Sequence, residues 1–230
     1  QRYLWRAPLN SKKGSPQRVT PEGQSGWHTY QISPNGKYAH HTYSAANVPP
    51  VTDLISLPDH RVLTSFINHQ SLRKKVAQLE INPKEFLQIT LPNGLSLEAF
   101  MIKPPNFDPS KKYPVLFYVY GEPWGQTVVD KWGGSRYLWH QMLAQQGYIV
   151  MSIDNRGTPS PKGRDWRKCV YGQIGVLSSE DQAAGLIALK ERFSFIDGER
   201  IGIWGWSGGG SMTLNMMFRY PKLYHTGMSI

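Results

Sequence analysis

The chain has 230 residues, a formal net charge of +10 and 40% hydrophobic residues. This apolar content excludes a disordered or collagen-like chain and leaves enough material for a packed core. No apolar run approaches the roughly 20 residues that a membrane-spanning helix requires. A single cysteine excludes a disulfide framework within the chain.

Basic residues occur in short, separated runs, namely Lys12-Lys13, Arg73-Lys74-Lys75 and Lys111-Lys112. No recognition helix or RNA-binding signature accompanies them, so we interpret the positive charge as solvated surface charge and predict no nucleic-acid partner. The His and Cys residues show no metal-ligand spacing, and the glycine-rich segment near the end lacks the Lys-Ser or Lys-Thr of a phosphate loop. We therefore expect neither a metal nor another cofactor.

Residues 1–80 form a series of short predicted strands separated by turn signals. The strands are predicted at Tyr3–Arg6, Thr29–Ile32, Tyr38–Tyr43, Val51–Leu57, Val62–Ile67 and Val76–Leu79. The segment from Ser33 to Gly36 predicts a hairpin turn, because Pro34 presets φ and Gly36 can take a positive φ. Serial antiparallel strands at this spacing favour a β-propeller or a β-sandwich.

From residue 81 onward the pattern changes to alternating strands and helices. A hairpin is predicted around Pro92-Asn93-Gly94, between strands at Phe86–Leu91 and Leu95–Ile102. Further strands are predicted at Pro114–Tyr120, Tyr148–Asp154 and Ile201–Trp206, and helices at Arg136–Gln146, Ser179–Phe193 and Gly209–Tyr220. Ser178 and Asp181 have the spacing of a capping box. This alternation predicts an α/β fold with a mostly parallel sheet.

The last predicted strand runs into Gly205-Trp206-Ser207-Gly208-Gly209, which is the pattern of a nucleophile elbow. A sharp strand-to-helix turn would expose the Ser207 hydroxyl as a nucleophile. Gly205 and Gly209 lack Cβ atoms and would let strand and helix approach closely. The Gly208 amide would point at the developing oxyanion, supported by the positive end of the helix.

Several ordered segments closely resemble the dipeptidyl peptidase IV branch of the prolyl oligopeptidase family of serine peptidases. They are Arg200–Gly210, Pro105–Leu116 leading into Val119–Pro123, Asp154–Gly157 and Glu180–Gln182. The resemblance implies that residues 81–230 are the N-terminal part of an α/β-hydrolase catalytic domain, truncated after the elbow. It is looser over residues 1–80, where it implies the C-terminal blades of an eight-bladed β-propeller.

The resemblance also implies roles for individual residues. Ser207 would be the acylated nucleophile, and Tyr120 would donate its hydroxyl to the oxyanion as the partner of the Gly208 amide. On spacing alone, a core or rim tyrosine is an equally good interpretation of Tyr120. Arg156 resembles a loop-organising residue. Gly208 departs from the tyrosine that usually follows the nucleophile in this branch, which keeps the amide but removes a side chain that lines the substrate pocket.

Acyl transfer by serine needs a base and a carboxylate that orients it. The segment after Ser207 contains no Asp and a single His, His225. His225 lies too soon after the elbow for the catalytic position, and we expect it on the surface or the next strand. We therefore expect the chain to be a fragment, inactive by itself, whose remaining catalytic residues lie in a C-terminal segment.

The predicted function is a serine peptidase of dipeptidyl aminopeptidase type, cleaving after Pro or small residues through an acyl-enzyme at Ser207. An esterase or other acyl hydrolase, or a non-catalytic hydrolase-like binding module, are the alternatives. The resemblance further implies peptide substrates, a homodimer, and a periplasmic or extracellular location.

Overall fold

A computed structural model describes residues 1–9 and 14–230, so the predicted surface pair Lys12-Lys13 lies outside the described residues. The chain divides into two compact units. The first comprises residues 1–80 together with 129–137, and the second comprises residues 81–128 together with 138–230. Among the described residues, no helix combines the length and the hydropathy needed to cross a bilayer.

The first unit contains two antiparallel sheets. Its strands are β1 (Trp5–Arg6), β2 (Gln17–Arg18), β3 (Trp27–Ile32), β4 (Tyr38–Ala45), β5 (Val48–Ser56) and β6 (Val62–Ile67). β1 pairs with β2, and β3 to β6 form a four-stranded sheet in sequence order. The predicted hairpin between β3 and β4 is confirmed, since Gly36 has a φ of 68° and donates its N–H to Ser33 at 2.8 Å. Asp130 accepts the N–H of Ala46 at 3.0 Å, which attaches the later segment to this unit.

The predicted strand at Val76–Leu79 is wrong, because Val76 and Ala77 end α1 (Gln70–Ala77) and Gln78 and Leu79 follow in a turn. Leu72 and Val76 are four residues apart and so lie on one face of the helix, where Val76 is buried. The basic run from Arg73 to Lys75 lies between them on the exposed side. Four mostly apolar residues were too short a pattern to separate a strand from a helix.

The second unit is built on one six-stranded mixed sheet. Its strands are β7 (Glu85–Thr90), β8 (Ser96–Ile102), β9 (Tyr113–Tyr118), β10 (Ile149–Asp154), β11 (Ile196–Gly205) and β12 (Thr226–Ser229). Its helices are α2 (Gly134–Gln145), whose first turn belongs to the first unit, α3 (Gly163–Lys168), α4 (Leu177–Arg192) and α5 (Gly208–Arg219). The sheet order is β12-β11-β9-β10-β8-β7, parallel from β12 to β10 and antiparallel from β10 to β7. The predicted α/β fold is confirmed.

Helices cover both faces of this sheet, as β11 shows. Ile203 belongs to the apolar cluster that includes Leu186 of α4 and Met216 of α5. The next side chain, Trp204, faces the other way and contacts Trp139 of α2 with ring centroids 4.8 Å apart. Because the carboxyl ends of parallel strands meet at one edge, the segments that follow β9, β10 and β11 lie together there.

The predicted capping box at the start of α4 is wrong. The helix begins after Val176 with no side-chain cap, and Ser178 and Asp181 are both buried. The Asp181 carboxylate instead binds Arg156 (described below), and the Ser178 hydroxyl lies 3.6 Å from the Met212 sulfur. Arg156, which is distant in the sequence, therefore binds the Asp181 carboxylate that the local spacing had assigned to the start of the helix.

Candidate active site at the end of β11

Ser207 lies in the sharp turn between the last residue of β11 and the first residue of α5. Its backbone has φ 56° and ψ −118°, a combination that residues with side chains rarely adopt. The Ser207 carbonyl accepts the N–H of Ser211 at 3.1 Å, so the helix starts directly from this residue. Ser207 is exposed, as a nucleophile at such a turn has to be.

Gly205 and Gly209 lie where the backbones of the elbow touch. A Cβ on Gly205 would lie 2.2 Å from the Gly209 carbonyl oxygen and 2.6 Å from that of Val119. A Cβ on Gly209 would lie 2.3 Å from the same Val119 oxygen. Any side chain at either position would push β11, β9 and α5 apart. Trp206 lies between them in the sequence and is 63% exposed at the surface of the elbow.

Three consecutive amides at the elbow differ in their hydrogen bonds. The N–H of Ser207 donates to Ile230 at 2.6 Å, and that of Gly209 donates to Trp206 at 2.8 Å. Gly208 is the first residue of α5, so its N–H has no acceptor within the helix. Within the described part of the chain it is left without a hydrogen bond, at the positive end of the helix dipole. It can therefore receive a negatively charged oxygen.

Tyr120 follows β9 and lies beside the elbow. The N–H of Val119 donates to Trp204 at 2.9 Å and holds this segment next to β11. The Cα of Tyr120 lies 3.3 Å from the position of a Cβ on Gly209, and its half-buried ring packs against Gly125. The structure thus brings the backbone of Tyr120 to the nucleophile turn. The role of its hydroxyl stays a prediction.

Polar side chains at the end of β10 hold the loop that carries Tyr120. The Asn155 amide donates to the Gly121 carbonyl at 3.0 Å. The Asp154 carboxylate accepts the Thr127 N–H at 2.9 Å, the Thr127 hydroxyl at 3.0 Å and the Val128 N–H at 3.3 Å. Burial raises the pKa of Asp154, while the bonds from Thr127 favour its ionised form. The loop is therefore fixed at both of its ends.

Arg156 organises the next layer of this network. Its guanidinium binds the buried Asp181 carboxylate at 2.7 Å, and its backbone N–H donates to the same group at 2.8 Å. This hydrogen-bonded partner raises the pKa of Arg156. The Gln182 amide donates to Asn155 at 3.0 Å, which links α4 to the loop anchors. These contacts agree with the loop-organising role that the sequence suggested for Arg156.

Sequence reasoning missed Asp154, Asn155 and Gln182 as loop anchors, although all three lie in the resembling segments. The signal for Asp154 and Asn155 was a polar pair at the end of a buried, mostly apolar strand. It also missed Glu122, whose carboxyl carbon lies 2.4 Å from the position that a Cβ on Gly208 would occupy. The Glu122 carboxylate therefore lies in the space that a side chain at residue 208 would occupy.

His225 does not approach the nucleophile. Its N–H donates to Ile201 at 2.8 Å, and its Nδ1 lies 3.4 Å from the Ile201 nitrogen. Ile201 and Ser207 are six residues apart along an extended strand and its turn, which corresponds to roughly 15–20 Å. His225 is exposed, as the sequence suggested. In the part of the chain that the structure describes, no three His, Cys, Asp or Glu side chains are grouped to hold a metal ion.

Comparisons with known proteins agree with this arrangement. Residues 120–230 match the prolyl oligopeptidase family. The "Probable dipeptidyl peptidase 4" of Trichophyton verrucosum is 32% identical over 231 residues, an alignment that covers 99% of this chain and 30% of the relative. The "Probable dipeptidyl-aminopeptidase B" of Aspergillus fumigatus is also 32% identical and is covered over 24% of its length.

The crystal structure of Porphyromonas gingivalis dipeptidyl peptidase 4 matches 94% of this chain and 30% of its own, with a TM-score of 0.85 and 36% identity. The chain belongs to the dipeptidyl peptidase IV branch of the prolyl oligopeptidase family. It spans between 24% and 30% of the length of these relatives.

Proposed function

We propose that this chain provides the nucleophile and the oxyanion donors of a serine peptidase of dipeptidyl aminopeptidase type. The observation that carries the proposal is the exposed Ser207, held at a positive φ next to the unbonded N–H of Gly208. The relatives described above are dipeptidyl peptidases, which supports peptides as the substrates. The substrate would be cut near its N-terminus, after Pro or a small residue.

In the proposed reaction, the Ser207 oxygen attacks the scissile carbonyl carbon while a base takes its proton. The Gly208 N–H and the Tyr120 hydroxyl stabilise the oxyanion of the tetrahedral intermediate. Collapse expels the amine, which receives the proton and leaves an acyl ester on Ser207. Water then hydrolyses the ester and frees the serine. The base and its orienting carboxylate are not assigned to residues of this chain.

We further propose that residues 81–230 are the N-terminal part of an α/β-hydrolase catalytic domain. A sheet with helices on both faces and a serine elbow after a central strand supports this assignment. We assign residues 1–80 to the C-terminal blades of a β-propeller. The four-stranded antiparallel sheet from β3 to β6, connected in sequence order, has the topology of one blade.

The test is covalent labelling of the full-length gene product with a fluorophosphonate, followed by assays with Gly-Pro and Ala-Pro p-nitroanilides. Ser207→Ala should abolish labelling and dipeptide release. Ser211→Ala is the matched control, because this exposed serine lies on the first turn of the same helix and should leave both intact. Tyr120→Phe should lower kcat by about 10²- to 10³-fold if its hydroxyl is an oxyanion donor.

Each alternative predicts a different result. Labelling at Ser207 without dipeptide release would favour an esterase or another acyl hydrolase. A properly folded gene product that is not labelled at Ser207 would contradict the proposal and favour a non-catalytic binding module.

A further inference from the structure

The carboxylate of Glu122 occupies the space that a side chain at residue 208 would need. A Cβ on Gly208 would lie 2.4 Å from the carboxyl carbon and 2.4 and 2.8 Å from the two carboxylate oxygens of Glu122. With a Cα–Cβ bond of about 1.5 Å, the carboxyl carbon is within about 4 Å of the Gly208 Cα. The Glu122 side chain and a side chain at residue 208 therefore exclude each other.

The backbone does not require glycine at this position. Gly208 is the first residue of α5, and its φ lies outside the positive range in which glycine is favoured. Gly205 and Gly209 are different, because carbonyl oxygens of the main chain block their Cβ positions. At residue 208 the obstacle is the end of a side chain, so the glycine is explained by the carboxylate.

The negative charge of the Glu122 carboxylate lies next to the proposed reaction site. Within residues 1–9 and 14–230, Glu122 has no hydrogen bond or ion pair, and its side chain is only half-buried. It adjoins the same residue whose N–H would stabilise the negative oxygen of the tetrahedral intermediate. Two negative charges this close repel each other, which by itself would slow the reaction. A positive charge brought by the substrate would remove that penalty and bind the carboxylate directly.

We propose that Glu122 binds a positively charged ammonium or guanidinium group on the acyl part of the substrate and so selects substrates that carry one. This inference rests on the proposed function, since it needs an oxyanion at the Gly208 N–H. The positive group has two sources. It is either the side chain of the residue that supplies the scissile carbonyl or the free α-amino group of the substrate.

Two substrate pairs separate these sources in the full-length gene product. The first pair is Gly-Lys and Gly-norleucine p-nitroanilide, which differ by the side-chain ammonium group. The second is Gly-norleucine p-nitroanilide with a free or an N-formylated α-amino group. The ratio of kcat/KM is measured for each pair in the wild type and in Glu122→Gln, which keeps the size of the side chain and removes its charge. The corresponding nitrophenyl esters replace the anilides if only esters are hydrolysed.

We expect the wild type to prefer the charged member of one pair, and Glu122→Gln to lower that preference by about tenfold or more. The pair that loses its preference identifies the source of the charge. The member of that pair without the recognised charge should react equally well or faster with Glu122→Gln, because the repulsion is gone. If both ratios stay within about twofold of the wild type, the inference is overturned and the proposed function stands. A shift in thermal stability with unchanged ratios means a structural role and overturns it as well.

If the wild type neither hydrolyses any of these substrates nor reacts with the fluorophosphonate, the proposed function fails and this inference fails with it. A second variant tests the steric part separately. Gly208→Ala should displace the carboxylate, weaken the same preference and slow the member of that pair without the recognised charge, whereas Glu122→Gly combined with Gly208→Ala should recover this rate. Without such a recovery, the contact between residues 122 and 208 would not explain the glycine.

Discussion

The two units of this chain differ in how they bury their titratable side chains. In the second unit, an apolar cluster runs through the mixed sheet, α4 and α5, and the buried Asp154, Asp181 and His140 lie outside it. In the first unit, the four-stranded sheet buries Ile55 and several alanines, but also His28, His41 and His60. Apolar area, whose contribution does not depend on pH, dominates the interior of the second unit, whereas a cluster of three histidines makes the first unit depend on the protonation state of its interior.

The hydrogen bonds of His28 and His41 indicate which of their ring nitrogens carry protons. The Gln24 carbonyl can only accept, so Nε2 of His28 donates to it at 3.0 Å. In a neutral His28 the other nitrogen then accepts from Nε2 of His41 at 2.8 Å. Nδ1 of His41 is buried and, among the described residues, has no partner. A proton on Nδ1 would create a buried charge without an acceptor. Burial accordingly lowers the pKa of His41 to about 3 and also lowers those of His28 and His60.

The largest expected effect is on the apolar interior of the second unit. Leu186→Ala removes a fully buried side chain of α4 and should lower the free energy of unfolding by about 2–5 kcal/mol. Its neighbour Ile187 is 45% exposed, and Ile187→Ala should cost less than about 1 kcal/mol. Urea titrations of the two variants measure the difference. Equal losses would show that this helix face is not the stabilising one.

The polar network behind the proposed active site should show the next largest effect. Asp181→Asn removes the charge that Arg156 binds and should cost about 2 kcal/mol, since the carboxylate is buried and the guanidinium is only partly exposed. Glu180→Gln changes the adjacent, half-exposed carboxylate and should cost about 0.5 kcal/mol or less. The same urea titrations apply. A loss for Glu180→Gln as large as that for Asp181→Asn would contradict this assignment.

The first unit should lose stability in mild acid. The pKa of His41 is lowered in the fold, so its contribution is complete above pH 6.5 and is lost as the pH falls from 6.5 toward about 3. Each pH unit in this window should cost about 1.4 kcal/mol for this histidine. Amide exchange, corrected for intrinsic rates, should accelerate in β4 but not in β10 between pH 7.5 and 5.5. His41→Gln should remove most of the difference, and equal acceleration in both strands would refute the prediction.

The smallest effect should come from a polar pair of the first unit that does not titrate. The hydroxyls of Thr42 and Thr52 face each other across β4 and β5 at 3.0 Å. Thr52→Val keeps the shape of the side chain and should change stability by less than about 1 kcal/mol, equally at pH 7.5 and 5.5. Exchange in β4 measures this as well. A pH-dependent change would mean that this pair is coupled to a titrating group and would contradict the prediction.

Patterns that act over a few residues predicted much of this fold. Gly36 and Gly94 mark hairpin turns and have the positive φ that their turns need. The apolar runs became strands buried on both faces, and the glycines around Ser207 lie where two backbones touch. These features depend on backbone geometry and local spacing, which a single sequence displays directly.

Features that join distant parts of the chain could not be predicted in this way. Asp181 binds Arg156 instead of the start of its own helix, and Glu122 meets Gly208 although 86 positions separate them in the sequence. The buried histidine network has the same origin, because His28, His41 and His60 lie on three different segments. Such contacts form only when the chain folds, and no local pattern in a single sequence predicts which distant residues will meet.

The backbone of Ser207 also limits how this protein can evolve. A residue that branches at Cβ fits poorly at a φ of 56°, so a mutation to threonine would keep the hydroxyl and yet disturb the turn that exposes it. Cysteine is unbranched and keeps the shape of serine. The backbone conformation of residue 207 therefore tolerates replacement of serine by cysteine, which exchanges oxygen for sulfur. It disfavours replacement by threonine, although that change keeps the alcohol.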